Sequence, residues 1–165
     1  MNKTFCPRCG GKLQRREFEG RERDWCPACR QAVYANPLPA SAAVVLNGRL
    51  ELLLVRRGAE PGLGQWCLPG GFQETGETPE ECTLRELREE TGLQGRILAL
   101  AGLEMGLNPR AGEVLVVGYH VAVRGGDLQP GDDAAAAGYF PLDRLPELAF
   151  QSHARLIDKA AAGLQ

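Results

Sequence analysis

The stretch from residue 71 to residue 93, GFQETGETPEECTLRELREETGL, constrains this chain more than any other part of it. Its second half reads as a helix with marked ends. Thr78 is placed as N-cap, Pro79 takes the first helical position, where its missing N–H costs nothing, and Glu81 completes a capping box. Gly92 suits a left-handed cap at the other end. Within the helix Glu86, Glu89 and Glu90 stand at i, i+3 and i+4, so three carboxylates share one face. Leu84, Leu87 and Thr91 take the opposite side, where they can pack on a sheet. The plain alternative is a solvated Glu/Arg face. Like charges so placed repel, however, and the cluster suits a hard divalent cation that takes oxygen ligands and keeps exchangeable waters, such as Mg²⁺.

The residues before the helix add to this. Gly70 and Gly71 let the backbone approach the acidic face and offer carbonyl oxygens. Glu77 precedes the helix and Arg85 follows two turns along, so an Arg–carboxylate pair between them would fix the loop against the helix. Taken together, Gly71, Glu77, Arg85-Glu86-Leu87, Glu89-Glu90 and Gly92-Leu93 match the Nudix box at every fixed position. The approach from Gly64 to Gly71 and the late segment from Tyr139 to Leu145 also resemble the Nudix hydrolase family, from about residue 40 to the C-terminus.

That resemblance implies an α/β fold, an α/β/α sandwich around a mixed sheet. It also implies cleavage of a nucleoside diphosphate linked to another moiety, by water attack on phosphorus. It makes Glu86, Glu89 and Glu90 ligands of Mg²⁺ (or Mn²⁺), with the Gly71 or Gly70 carbonyl completing the shell, and Arg85 and Glu77 orienting groups. The family's proton acceptor varies. Asp133, in an Asp132-Asp133 pair ahead of the Tyr139 strand, matches one of its places, although a plain Gly-Asp-Asp turn reads equally well. Glu104 and Glu113 are further candidates. Gly70, Gly71, Trp66 and Phe72 are the expected substrate contacts. Trp66, Phe72 and Tyr119 could stack a base, and each also fits a core position.

Cys6-Pro7-Arg8-Cys9 and Cys26-Pro27-Ala28-Cys29 form two CxxC knuckles. Four thiolates so spaced suit structural, tetrahedral zinc better than redox chemistry. Residues 13–18 and 23–25 are expected to form the hairpin between them, and metal binding should supply most of this small segment's folding free energy. The domain reading is a zinc ribbon over residues 1–36 and a Nudix hydrolase domain over residues 37–165, joined by an extended connector around Asn36-Pro37-Leu38-Pro39. Cys67 and Cys82 read as core residues.

Elsewhere, residues 41–46 and 50–55 flank Asn47-Gly48, a strong hairpin-turn signal. Strands are expected over 96–104 and 114–123, with a loop over 106–112, then a short strand over 139–141 and a terminal helix over 148–162. With 165 residues, 44% hydrophobic and 24% charged, the chain can bury a core, and a net charge of −2 forces no broad basic surface. Lys12, Arg15, Arg16, Arg21 and Arg23 alternate with Glu17, Glu19, Glu22 and Asp24, so nucleic-acid binding is not the expectation. No apolar run could span a bilayer and residues 1–9 do not read as a signal peptide. The expectation is a cytoplasmic protein, with a homodimer the preferred assembly.

A ribbon followed by Tyr34-Ala35-Asn36-Pro37 resembles the family's dinucleotide pyrophosphatases, of ADP-ribose, FAD or NADH type. No tryptophan lies in residues 103–112, which disfavours NADH; Pro109 and the segment over 139–152 fit ADP-ribose or FAD. Two other readings remain: a house-cleaning nucleoside triphosphate pyrophosphohydrolase, and an inactive Nudix-fold binding module.

Overall fold

In residues 3–163, which the computed structural model describes, chain contacts define two units, Met1–Pro37 and Leu38–Gln165. The first is an antiparallel meander of β1 (Gln14–Phe18), β2 (Arg21–Cys26) and β3 (Gln31–Val33). The hairpin is present with one more strand than expected, because the second knuckle turns the chain back on β2. Phe18 packs on Trp25 at 5.3 Å between ring centroids, and the Arg16 guanidinium lies 4.5 Å over the Trp25 ring.

The second unit holds two sheets. β7 (Gly70–Phe72), β4 (Leu38–Val44), β9 (Gly112–Gly125) and β8 (Gln94–Asn108) form one in that order, and the parallel β4–β9 pair makes it mixed. β10 (Ala134–Pro141), β5 (Glu51–Arg57) and β6 (Trp66–Cys67) form the other, antiparallel throughout. Side chains of a strand alternate between faces. In β5, Leu52 and Leu54 therefore enter one core with Leu156, Ile157 and Ala160 of α2 (Gln151–Ala162), while Leu53 enters another with Leu87 of α1 (Pro79–Thr91). The sheets thus lie between two helices, the α/β/α sandwich expected.

α1 has its expected ends. Thr78 Oγ1 accepts the Glu81 N–H, Glu81 Oε2 accepts the Thr78 N–H, and Gly92 closes the helix at φ 72°. Leu87 and Thr91 are fully buried and Leu84 packs beside them.

Three expectations need correction. Asn47-Gly48 does turn the chain, with Asn47 and Glu51 exchanging backbone and side-chain hydrogen bonds. It does not make a paired hairpin: apart from a bridge at Leu46 and Leu52, β4 and β5 part into different sheets to serve both cores. The expected loop over 106–112 is mostly strand. Asn108 Oδ1 accepts the N–H groups of Arg110 and Ala111, tightening the reversal to a few residues. The terminal helix starts at Gln151, because Phe150 is extended and Leu148 bridges Trp66.

Candidate active site

α1 presents its acidic face to the β7 turn, and the packing there is close. A Cβ on Gly71 would overlap the Glu86 carboxylate, and one on Gly70 would overlap the Ser41 carbonyl. Only glycine admits this approach. The Gly70 N–H donates to Glu90 Oε2 at 2.9 Å, tying the loop to the helix.

Arg85 organises the rest. Its Nε and Nη2 donate to the two oxygens of Glu77 at 2.5 and 3.1 Å, the forked pair expected from the sequence. Its Nη1 donates to Glu86 Oε1 at 2.7 Å and Glu89 Oε2 at 2.9 Å, and Nη2 also reaches the Phe72 carbonyl. The Arg85 fork and the Glu74 N–H hold the Glu77 carboxyl down at about 2. Burial acts the other way on the opposite side of the face. Glu90 is 4% exposed, and desolvation pushes its carboxyl up to about 8; the Gly70 N–H resists, and the charges of Glu86 and Asp133 add to the rise. Glu86 is also raised by burial, against the pull of Arg85.

The loop carrying Asp132 and Asp133 is laced to the end of α1. Gln129 N–H donates to the Thr91 carbonyl and Gly131 N–H to the Glu90 carbonyl, while Gly58 N–H holds the Asp133 carbonyl at 2.8 Å. Both aspartates thereby line the cavity that Gly70, Gly71, Phe72, Glu86 and Glu90 also line, of about 950 Å³. Glu113 lines it too. Glu104 is engaged elsewhere, in ion pairs with Arg155 and Lys159 at 2.5 Å each, which hold its carboxyl low.

Two aromatic expectations fail on geometry. Trp66 does not line the cavity; it packs edge-on against Phe140, 4.7 Å between centroids, within the α2-side core. Tyr119 is buried and donates its hydroxyl to Glu80 at 2.8 Å. Phe72 is 44% exposed at the cavity wall. Arg57, Phe150 and His153 also line the cavity and escaped the sequence reading. A strand-end arginine and a lone histidine carry no motif, and only the meeting of β5 with the start of α2 brings them there.

The donor set of the acidic face fits a hard cation. Every donor is oxygen, and a buried acid such as Glu90 needs a positive neighbour to ionise. The three glutamates do not close on one another: Arg85 stands between Glu86 and Glu89, and Glu90 is drawn to Gly70. Among the described residues, the group of three or more such ligands with atoms all within 4.8 Å of one another is Cys6, Cys9, Cys26 and Cys29. Cys9 and Cys26 Sγ lie 3.5 Å apart, Cys6 and Cys29 Sγ 4.0 Å. Tetrahedral thiolates about 2.3 Å from zinc would be roughly 3.8 Å apart. Backbone N–H groups of Arg8 and Cys9 bring the Cys6 thiol down to about 7, while the hydrogen bond with Cys9 and burial push the Cys29 thiol up to about 12, so the cluster shares its protons unevenly.

The NUDIX domain family model matches residues 36–160. The chain belongs to the Nudix family. It is a pyrophosphohydrolase of that family. This Nudix chain is 42% identical over 121 residues to the ADP-ribose pyrophosphatase of Methanocaldococcus jannaschii, covering 70% of each chain. It is 32% identical over 148 residues to the NAD-capped RNA hydrolase NudC of Pseudomonas aeruginosa, covering 89% of this chain and 51% of that one. The chain thus spans about half the length of that relative. Among solved structures, a NUDIX hydrolase from Nitrosomonas europaea superposes with a TM-score of 0.79 at 25% identity, over 98% of this chain and 94% of that one.

Proposed function

We propose that the chain hydrolyses the pyrophosphate bond of a nucleoside diphosphate linked to another moiety, with Mg²⁺ (or Mn²⁺), and that ADP-ribose or FAD is its substrate. The observation that carries this is the joining of Glu86 and Glu90 of the acidic helix face, Gly70-Gly71 and Asp133 around one cavity large enough for a dinucleotide, with Glu89 beside it on the same face. The likeness to an ADP-ribose pyrophosphatase supports the choice of substrate.

Glu86, Glu89, Glu90 and the Gly71 carbonyl would hold the ion. When bound, the ion neutralises charge on the phosphoryl oxygens and lowers the pKa of water. Arg85 and Glu77 position the loop and the helix. Asp133 takes the proton from the attacking water, and Gly70, Gly71 and Phe72 meet the substrate. Residues 1–36 form a ribbon around zinc, and residues 37–165 carry the chemistry. Nucleic acid is not proposed as a partner: in the ribbon hairpin Glu17, Glu19, Glu22 and Asp24 alternate with the basic residues, and Arg15 pairs with Asp24 and Glu22 and Arg23 with Glu19. Reduced thiols fit a cytoplasmic location, and no described helix is long and apolar enough to cross a membrane. The exposed apolar row Leu103, Met105 and Leu107 on the edge strand β8 favours a homodimer, which sedimentation would test.

A substrate panel with Mg²⁺ tests the reading. AMP released from ADP-ribose or FAD supports it. Pyrophosphate from nucleoside triphosphates alone would favour a house-cleaning enzyme, and no turnover a binding module.

A further inference from the structure

His153 lies in the first turn of α2 and is 8% exposed. Its Nδ1 accepts the Leu68 N–H at 3.1 Å. An accepting Nδ1 carries no proton, so the neutral ring carries its proton on Nε2. The ring is held in that sense. Phe150 packs against it at 5.1 Å, and the Arg57 guanidinium lies 5.2 Å over the Phe150 ring. A charged ring would set two N–H groups against each other at Leu68. Burial, with the nearby Arg57 charge, also lowers the imidazole's pKa to about 4.

Nε2 has no partner among the described residues. It is not sealed off either: the buried side-chain N and O atoms that lack a partner are Arg23 Nε and Ser41 Oγ. The ring lines the cavity with Ala40, Arg57 and Phe150. The consequence is a single uncharged N–H, fixed in direction, on a residue at the wall of the space where the substrate belongs.

We propose that His153 is a specificity-determining donor of this enzyme: Nδ1 holds the Leu68 backbone, and Nε2–H hydrogen-bonds an acceptor oxygen of the bound nucleotide. The inference rests on the proposed function for its substrate. A ribose hydroxyl and a phosphoryl oxygen share the required chemistry. An uncharged donor selects an oxygen by position, where a lysine or arginine would answer to any anion.

The test has two parts. Asn at position 153 keeps an acceptor near the place of Nδ1 and removes the Nε2 donor. His153→Asn is expected to raise KM for ADP-ribose about tenfold, the worth of one hydrogen bond, with kcat and Tm close to wild type. His153→Phe should lose Tm as well. Unchanged KM in His153→Asn, or a loss of Tm with KM unchanged, would reduce His153 to a backbone anchor and overturn the proposal.

The second part needs no turnover. Imidazole ¹⁵N spectra of the wild-type protein should show His153 protonated at Nε2, with that resonance moving when a non-hydrolysable analogue binds. Movement with α,β-methylene-ADP assigns the acceptor to the adenosine diphosphate part. Movement only with α,β-methylene-ADP-ribose assigns it to the second ribose. An Nδ1–H tautomer, or an Nε2 that neither ligand moves, overturns the proposal. If the enzyme hydrolyses neither ADP-ribose nor FAD, the functional reading fails by itself; the ligand-free tautomer still tests His153, and an unmoved Nε2 counts against the proposal where other resonances of the protein show that the analogue is bound.

Discussion

Arg85 and Glu77 face each other across the turn before α1, with two nitrogens of one guanidinium on the two oxygens of one carboxylate. The same guanidinium reaches Glu86 and Glu89, so one side chain sets both the loop and two of the three acids. A lysine would offer a point charge in place of the fork. Arg85→Lys should therefore lower kcat at least about tenfold through misplaced acids, with KM changing less. Steady-state kinetics on ADP-ribose checks this, and a variant with full kcat would remove Arg85 from the positioning role.

The low carboxyl of Glu77 gives a pH signature. Its folded value of about 2 lies below the ordinary value of 4.5. The folded state therefore binds the proton less well than the unfolded chain, and the stabilisation is fully present above that ordinary value. It is lost as pH falls from about 4.5 toward 2. The Tm difference between wild type and Glu77→Gln should be full at about pH 6 and shrink steadily below about pH 4.5. Glu90 shifts in the opposite direction, so the comparison of two proteins, not one profile, isolates the pair. A difference that stays constant across that range would contradict the assignment.

Glu89 is the most open of the three acids, with its side chain 39% exposed. Its replacement should leave folding intact. Glu89→Gln is expected to cost at least about tenfold in kcat with an unchanged circular dichroism melt. Near-normal turnover would separate this residue from the metal.

The cysteine cluster makes a separate prediction. Strong chelation should release about one zinc per chain, as four thiolates around one tetrahedral ion require, and should unfold the first unit. Zinc-free protein with cysteines joined as disulfides would reject the ribbon.

Much of this site could be read from residue order because its signals are local. The Thr78–Glu81 box, Pro79 and Gly92 lie within one segment, and the spacing of Glu86, Glu89 and Glu90 sets their face without help from the rest of the fold. Partner choice is non-local. Nothing near Asn47 says that Leu53 must serve one core while Leu52 and Leu54 serve another, which is what parts β4 from β5. Trp66 sits beside the glycine loop in sequence yet turns toward Phe140, a contact set by the pairing of β5 with both β6 and β10. Arg57 and His153 reach the cavity by the same long-range route.

The claim beneath all of this is that the acidic face of α1 binds a divalent ion. Mn²⁺ titration followed by electron paramagnetic resonance measures that directly. The titration is run with the cysteine cluster loaded with zinc, so that bound Mn²⁺ reports the acidic face. The account predicts at least one bound Mn²⁺ per wild-type chain, lost when Glu86 and Glu90 are both changed to Gln. Equal Mn²⁺ binding by the folded double variant would contradict it.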